Sequence, residues 1–257
     1  MITNFLTIII FNWLVVTILW IYSQYSKKAD IIDTYWGPSF FFVCIILLIN
    51  ENNFTLINII TSLIVFTWSL RLMIYLHLRN HKKSEDIRYV KIKKKYGNFG
   101  MYLISYITQV ILIAIVSLPL QALFISNLDI KINFISIIGI FLSITGILIE
   151  SIADSQLTKF KSDSSNDGKV MDKGLWNYSR HPNYFGDSLF WWGIFIISYG
   201  VTFNFYVIIA PVAMTYFLLK VSGVSMLESQ IKNTKEGYDD YINTTSSFII
   251  MPKKKDD

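Results

Sequence analysis

The stretch ITNFLTIIIFNWLVVTILWIYSQY, Ile2–Tyr25, runs for 24 residues without a charged side chain. A helix crosses the hydrocarbon core of a bilayer with about 20 mostly apolar residues, so this stretch reads as a spanning helix. It lacks the basic start and the small-residue cleavage site of a signal peptide and is too long for one. It is expected to be an uncleaved helix. Six further apolar stretches follow: Thr34–Ile49, Leu56–Leu78, Met101–Ser126, Ile132–Ala153, Tyr184–Ser198 and Phe205–Val221. The last two also read as one helical hairpin turning at SYGVTFN, Ser198–Asn204. Of the 257 residues, 53% are hydrophobic and 16% charged, too apolar for a typical soluble domain. The expected fold class is therefore all-α: a polytopic membrane protein of about seven transmembrane helices, forming one membrane domain over residues 1–257.

The basic residues alternate from loop to loop. The first loop has Lys27 and Lys28, the second none, the third eight from Arg79 to Lys95, the fourth Lys131 alone. The fifth has five from Lys159 to Arg180, the sixth none, and the C-terminal tail six from Lys220 to Lys255. The positive-inside rule then places the N-terminus outside and the C-terminus in the cytoplasm. It also accounts for most of the net charge of +5 without a nucleic-acid partner: KIKKKYG is read as a basic loop at the membrane surface. Cys44 is the sole cysteine, so no intramolecular disulfide forms. His77, His81 and His181 lack zinc-site spacing, and no HExxH or GxGxxG occurs. No metal is expected.

A plain anchor needs no polar groups at membrane depth, so those present are informative. In WSLRLMIYLHLRN, Trp68–Asn80, the residues Arg71, Tyr75 and Arg79 are four apart and share a helical face. Snorkelling suffices for Arg79; Arg71, about two turns deeper, calls for a polar cavity or a carboxylate. In KKSEDIRYVKIKKKYG, Glu85 and Asp86 interrupt a basic loop ahead of Arg88 and Tyr89, either as charge mixing on a wet surface or as part of a site. In ITGILIESIADSQLTKFK, Glu150 and Asp154 line one face at the end of an apolar stretch. They are either a structural pair with Arg71 or Arg180, or a ligand site suited to ribose or amide hydrogen bonding. In GLWNYSRHPNYFGD, Gly174–Asp187, Pro182 suits the first turn of a helix. A start there puts Asn183, Tyr184 and Asp187 on one face, with Arg180 and His181 at its entrance. That is either capping with an Arg–Asp pair, or an anion site at a helix N-terminus reinforced by Arg180.

EDIRY, SIADSQLTKFK, GLWNYSRHPNYFGD and GYDDYINTTSSFIIMP together resemble the bacterial branch of the steroid 5α-reductase-like membrane proteins. That group is often labelled a domain of unknown function, DUF1295, and is distantly related to isoprenylcysteine carboxyl methyltransferases. The resemblance runs from about Asp33 to Pro252, with the C-terminal signature at about 145–252. RHPNY alone is shared with those methyltransferases; EDIRY with SIADSQL is characteristic of the reductase-like branch. The resemblance implies a seven-helix fold holding NADPH in a cytoplasm-facing cavity and passing hydride to an enone in a lipid. It implies cofactor contacts at Asp154, Asn183 and Asp187, and a substrate-carbonyl donor at Tyr75. The sequence departs from the steroid enzymes at TYWGPSF, where Tyr35 and Trp36 stand in place of a Gln-Glu pair. It departs again at Glu150, which replaces an asparagine, and at VSGVSMLESQ, which lacks their Arg and His.

The function expected is NADPH-dependent reduction of a carbon–carbon double bond conjugated to a carbonyl, in a steroid- or isoprenoid-like substrate. Tyr75 is the candidate acid. Asp154, Arg180, His181, Asn183, Tyr184, Asp187, Glu150 and Arg88 are the candidate cofactor residues. Two alternatives stand beside it. A methyltransferase using S-adenosylmethionine would need fewer cations than surround RHPNY, but Glu228 keeps it open. A non-catalytic lipid-binding protein would leave Asp154, Arg180 and Asp187 unexplained. The terminal KKDD resembles an endoplasmic-reticulum retrieval signal, whereas the bacterial resemblance and the Ile-, Asn- and Lys-rich composition point to a bacterial inner membrane.

Overall fold

A computed structural model describes residues 2–81, 83–126, 132–221, 224, 228 and 237–253. Lys131, the terminal KKDD and most of SGVSMLESQ lie outside the described residues. The chain is helical, with no strand among the described residues. Helices α1 (Ile2–Ser26), α2 (Ile31–Glu51) and α3 (Leu56–His81) are followed by α4 (Ile87–Met101), a π-helical turn (Tyr102–Ile107), α5 (Thr108–Val116) and α6 (Leu118–Ile125). Then come α7 (Phe134–Lys161), α8 (Pro182–Thr202), α9 (Ile209–Tyr216) and α10 (Tyr238–Thr244). Five helical runs are long and apolar enough to cross a membrane: Ile2–Ser26, Ile31–Glu51, Leu56–His81, Ile87–Val116 and Phe134–Lys161. Phe205–Val221 is a shorter apolar helix. The chain is thus an all-α, multi-pass membrane protein.

Each apolar stretch has become a helix, but three differ from their sequence outline. The second is longer than its apolar core, because Pro38 is absorbed inside α2. The fourth is not one helix: Ser117 (ψ 0°) and Pro119 break it between α5 and α6. The last is layered, with a 3-10 turn (Phe205–Ile208), α9 and a π-helical turn (Phe217–Val221). Polar side chains survive in these helices by bonding to their own backbone. Thr17, Ser62, Thr67, Thr145 and Ser151 each donate to the carbonyl four residues earlier, so none needs water at membrane depth.

Two compact units divide the chain, Met1–Ser136 with Ser198–Ala210, and Ile137–Ile197 with Pro211–Asp257. In the first, α2 packs chiefly on α3. Gly37 makes this possible: a Cβ there would lie 2.8 Å from the Ser69 carbonyl oxygen. Tyr35 donates to Asn12 Oδ1 at 2.8 Å in the buried contact of α1 with α2. Tyr102 receives the Trp13 indole N–H at 3.0 Å and lies 2.8 Å from Thr17 Oγ1.

The second unit is organised by a seam between α7 and α8. A Cβ on Gly139 would meet Ile197 N at 2.5 Å, one on Gly146 would meet Gly186 O at 2.6 Å, and one on Gly193 would meet Ser143 N at 2.5 Å. A Cβ on Gly186 would lie 2.6 Å from Glu150 N. Helices in lipid gain little by burying apolar surface and associate by close packing of small residues. Gly186 and Gly193 are one heptad apart and Gly139, Ser143 and Gly146 face them, so the two backbones touch. Ser188 and Thr215 hydroxyls, 2.7 Å apart, and the Trp192 indole join α9 to α8, as the hairpin reading expects. Gly193→Val is expected to destabilise the protein by about 1–3 kcal/mol through overpacking, seen as a lower melting temperature in detergent. An unchanged melting temperature would refute the seam.

Candidate functional site

Two clusters of charged side chains form, one in each unit. The first answers what EDIRY does. Asp86 caps α4, accepting from Arg88 N at 2.9 Å. The Arg88 guanidinium bonds Asp86 and reaches Asp33 at 2.9 Å. Tyr89 donates its phenol to the other Asp33 oxygen at 2.5 Å. Glu85 accepts from Ala29 N at 2.8 Å and from Lys93 at 2.5 Å. All four polar residues of the motif therefore converge on, or brace, the start of α2. Burial alone would raise the Asp86 carboxyl, but the bonds and charge of Arg88 hold it below the ordinary aspartate range. Arg88 is thus engaged by two carboxylates. Tyr75, on α3 of the same unit, is half-buried with the Arg79 guanidinium 5.7 Å from its ring centroid.

The second cluster gathers seven expected residues in one unit. α8 begins at Pro182, as its sequence indicates, and Phe185 N closes the first helical bond on His181 O at 3.1 Å. The glycine seam sets α8 against α7 so that Asn183 Nδ2 donates to Asp154 Oδ1 at 3.1 Å. Asn183 Oδ1 is buried and has no hydrogen-bond partner among the described residues. Glu150, Asp154 and Asp187 are buried, at 4%, 4% and 6% exposure. Tyr184 stacks on the His181 ring, centroids 5.6 Å apart and planes 2° off parallel. Beneath lies a small apolar floor of Ala153, Met171 and Trp176, flanked by Leu157, Phe160 and Leu175. Trp176 Nε1 donates to Ala153 O at 3.0 Å, and Gln156 accepts from Leu175 N at 3.0 Å. Gly174 (φ 60°) allows that contact, since a Cβ would lie 2.4 Å from the Gln156 side chain.

Arg180 has a role its sequence did not display. Its Nε donates to Glu228 at 2.8 Å, and its Nη1 to the carbonyls of Ile242 and Thr245 at 2.8 and 2.7 Å. The carboxylate that meets Arg180 is thus Glu228, and not the Asp187 of an Arg–Asp pair. The same Glu228 oxygen lies 3.3 Å from His181 Nε2. Around this knot the C-terminal segment is strapped to the loop before α8. Arg180 N donates to Ser246 O at 2.8 Å, Ser179 Oγ to Phe248 O at 2.7 Å, and Met251 N to Tyr178 O at 3.1 Å. Tyr241 donates its phenol to Trp176 O. Sequence reasoning flagged Glu228 for other chemistry and missed its pairing with Arg180, because 48 residues separate them. The heptad of glycines was a readable signal for the seam and was also passed over.

The burial of Glu228 alone would raise its carboxyl, but hydrogen bonds from His181 and Arg180 and their charges hold it below the ordinary glutamate range. A carboxyl depressed in the folded state stabilises the fold above its unfolded pKa of about 4.3, and that contribution is lost as the pH falls through the folded value. The melting temperature of the wild type is expected to fall on acidification below about pH 4, and that of Glu228→Gln to fall less steeply. Arg180→Leu leaves a part-buried carboxylate and two carbonyls unmet and is expected to cost about 3 kcal/mol. It should raise hydrogen exchange across residues 238–251; unchanged exchange there would show that the strap does not depend on Arg180.

No curated protein and no solved structure matches the chain. A family model described as protein of unknown function (DUF1295) matches residues 19–245, most of the chain's length, and the chain belongs to that family.

Proposed function

We propose that the protein is a membrane-embedded, NADPH-dependent oxidoreductase that reduces a carbon–carbon double bond conjugated to a carbonyl in a lipophilic substrate. The observation that carries this reading is the Asp154–Asn183 pair, whose buried amide oxygen has no partner among the described residues. A buried acceptor beside a carboxylate suits a ligand with amide donors, and the nicotinamide carboxamide is one. Asp154, Asn183, Asp187 and Glu150 would hold the polar rings, with Tyr184 and His181 at the helix entrance. The start of α8 would offer backbone N–H groups to phosphate. When bound, the cofactor would supply hydride to the β-carbon. In this reading Tyr75 donates its phenolic hydrogen bond to the substrate carbonyl and stabilises the negative charge that develops on oxygen. The motif resemblance to the steroid 5α-reductase-like proteins supports the same assignment.

One observation favours a second reading. Arg180 is neutralised by Glu228, and Arg88 is engaged by Asp33 and Asp86. Neither guanidinium is given over to a pyrophosphate. The buried set Glu150, Asp154 and Asp187 is acidic, which suits the sulfonium and amine of S-adenosylmethionine and hence a lipid methyltransferase.

Thermal shift of the detergent-solubilised protein separates the two. A ligand at 100 times its Kd stabilises by about 2.7 kcal/mol. NADPH is expected to raise the melting temperature in a concentration-dependent way. Asn183→Leu should abolish that shift. Tyr75→Phe should keep the shift and lose turnover of an enone lipid. A shift with S-adenosylmethionine alone would overturn the reductase in favour of the methyltransferase, and no shift with either would leave a lipid-binding protein.

A further inference from the structure

Ile87–Tyr96 is set apart from the apolar run it leads into. Gly97 has φ 71° and ψ −179°, a backbone region open essentially to glycine alone. Nothing lies within 4 Å of where its side chain would begin, so the glycine serves its backbone conformation and not a tight contact. It interrupts the helix between a basic segment and the membrane-crossing residues beyond.

The basic segment has two faces. Tyr89 is buried, and Arg88, Ile92 and Lys93 are half-buried. Ile87, Val90, Lys91, Lys94 and Lys95 are exposed, and their spacing places them on one outward stripe. The acidic residues just before the helix are spent inward, Glu85 on Lys93 and Asp86 on Arg88. Among the described residues none of Lys91, Lys94 and Lys95 makes an ion pair. Tyr96 and Phe99 are exposed beside them, with the Lys95 ammonium 4.8 Å from the Tyr96 ring centroid. The loop Lys161–Lys173 differs, because Asp163, Asp167 and Asp172 are interspersed with its lysines.

Exposed apolar side chains and three uncompensated ammonium groups, joined to a membrane-crossing run, match the boundary between acyl chains and headgroups. The apolar groups enter the boundary while the lysine stems reach out to phosphate. We propose that Ile87–Phe99 is an interfacial element that binds anionic phospholipid headgroups through Lys91, Lys94 and Lys95. The lipid class is set by charge: three cations without counter-ions favour a leaflet rich in negatively charged headgroups over a zwitterionic one.

The test uses the full chain reconstituted in bilayers of equimolar phosphatidylcholine and phosphatidylglycerol, then released and weighed by native mass spectrometry. The wild type is expected to retain phosphatidylglycerol in preference. Each lysine near an anionic surface is worth roughly fivefold in partitioning, so a triple Lys91/Lys94/Lys95→Gln variant should lower the preference by about tenfold or more. The triple Lys→Arg variant should keep it, as should Lys169→Gln with Lys173→Gln. Should the triple Gln variant melt lower than wild type, Lys91→Gln and Lys95→Gln singly carry the test, with a graded loss expected. Equal retention of the two lipids by the wild type would overturn the proposal and assign the stripe to an acidic protein surface. An unchanged ratio in the Gln variants would overturn it as well.

Discussion

The close approach of α7 and α8 is the constraint on which the second unit depends. Neither helix gains by hiding apolar side chains from lipid, since lipid is as apolar as they are. What holds them is the packing of backbone on backbone where Gly139, Gly146, Gly186 and Gly193 leave no Cβ between them. This separation brings Asp154 within 3.1 Å of the Asn183 amide and places Glu150 beside Gly186. A helix pair held apart by larger side chains would keep its span and lose that pair.

The two charged clusters solve one problem in different ways. An ionised group away from water must be met by a partner of opposite charge or by several donors. Around Arg88 the partners come from one neighbourhood: a capping residue two positions back and Asp33 at the start of α2. Around Arg180 they come from far along the chain: Glu228 and two carbonyls of the C-terminal segment. The first arrangement fixes a helix start, and the second ties down a segment that would otherwise lie free on the surface. The polar residues left over, Glu150, Asp154, Asn183 and Asp187, sit on the facing helices, where an anchor would have none.

The spans were legible because hydropathy over twenty residues needs no knowledge of neighbours, and every apolar stretch became helical. The start of α8 was legible from Pro182 for the same reason: the signal is local. Breaks depended on context. Pro38 was absorbed into α2, whereas Pro119 begins a new helix, and nothing in either heptapeptide distinguishes them. The partners of charged residues were the least legible. Arg180 looked like an anion ligand because its local surroundings are polar, yet the groups that bind it lie 48 to 65 residues away. EDIRY was ambiguous between a wet surface and a site; it proved to be an internal brace because Asp33, outside the motif, is its counterpart.

Tyr241, whose phenol meets Trp176 O, is synthesised 65 residues after that tryptophan. The loop before α8 therefore emerges and enters its place at the membrane surface well before the residues that fasten it exist. During translation the helices insert first, as hydrophobic units that need no partner, and the loop waits with its carbonyls and Arg180 in water. Closure is then a late, separate event in the life of the chain. It couples the quality of the loop to the arrival of a distant segment, so a ribosome that stalls between the two leaves a protein already lodged in the bilayer but not yet finished.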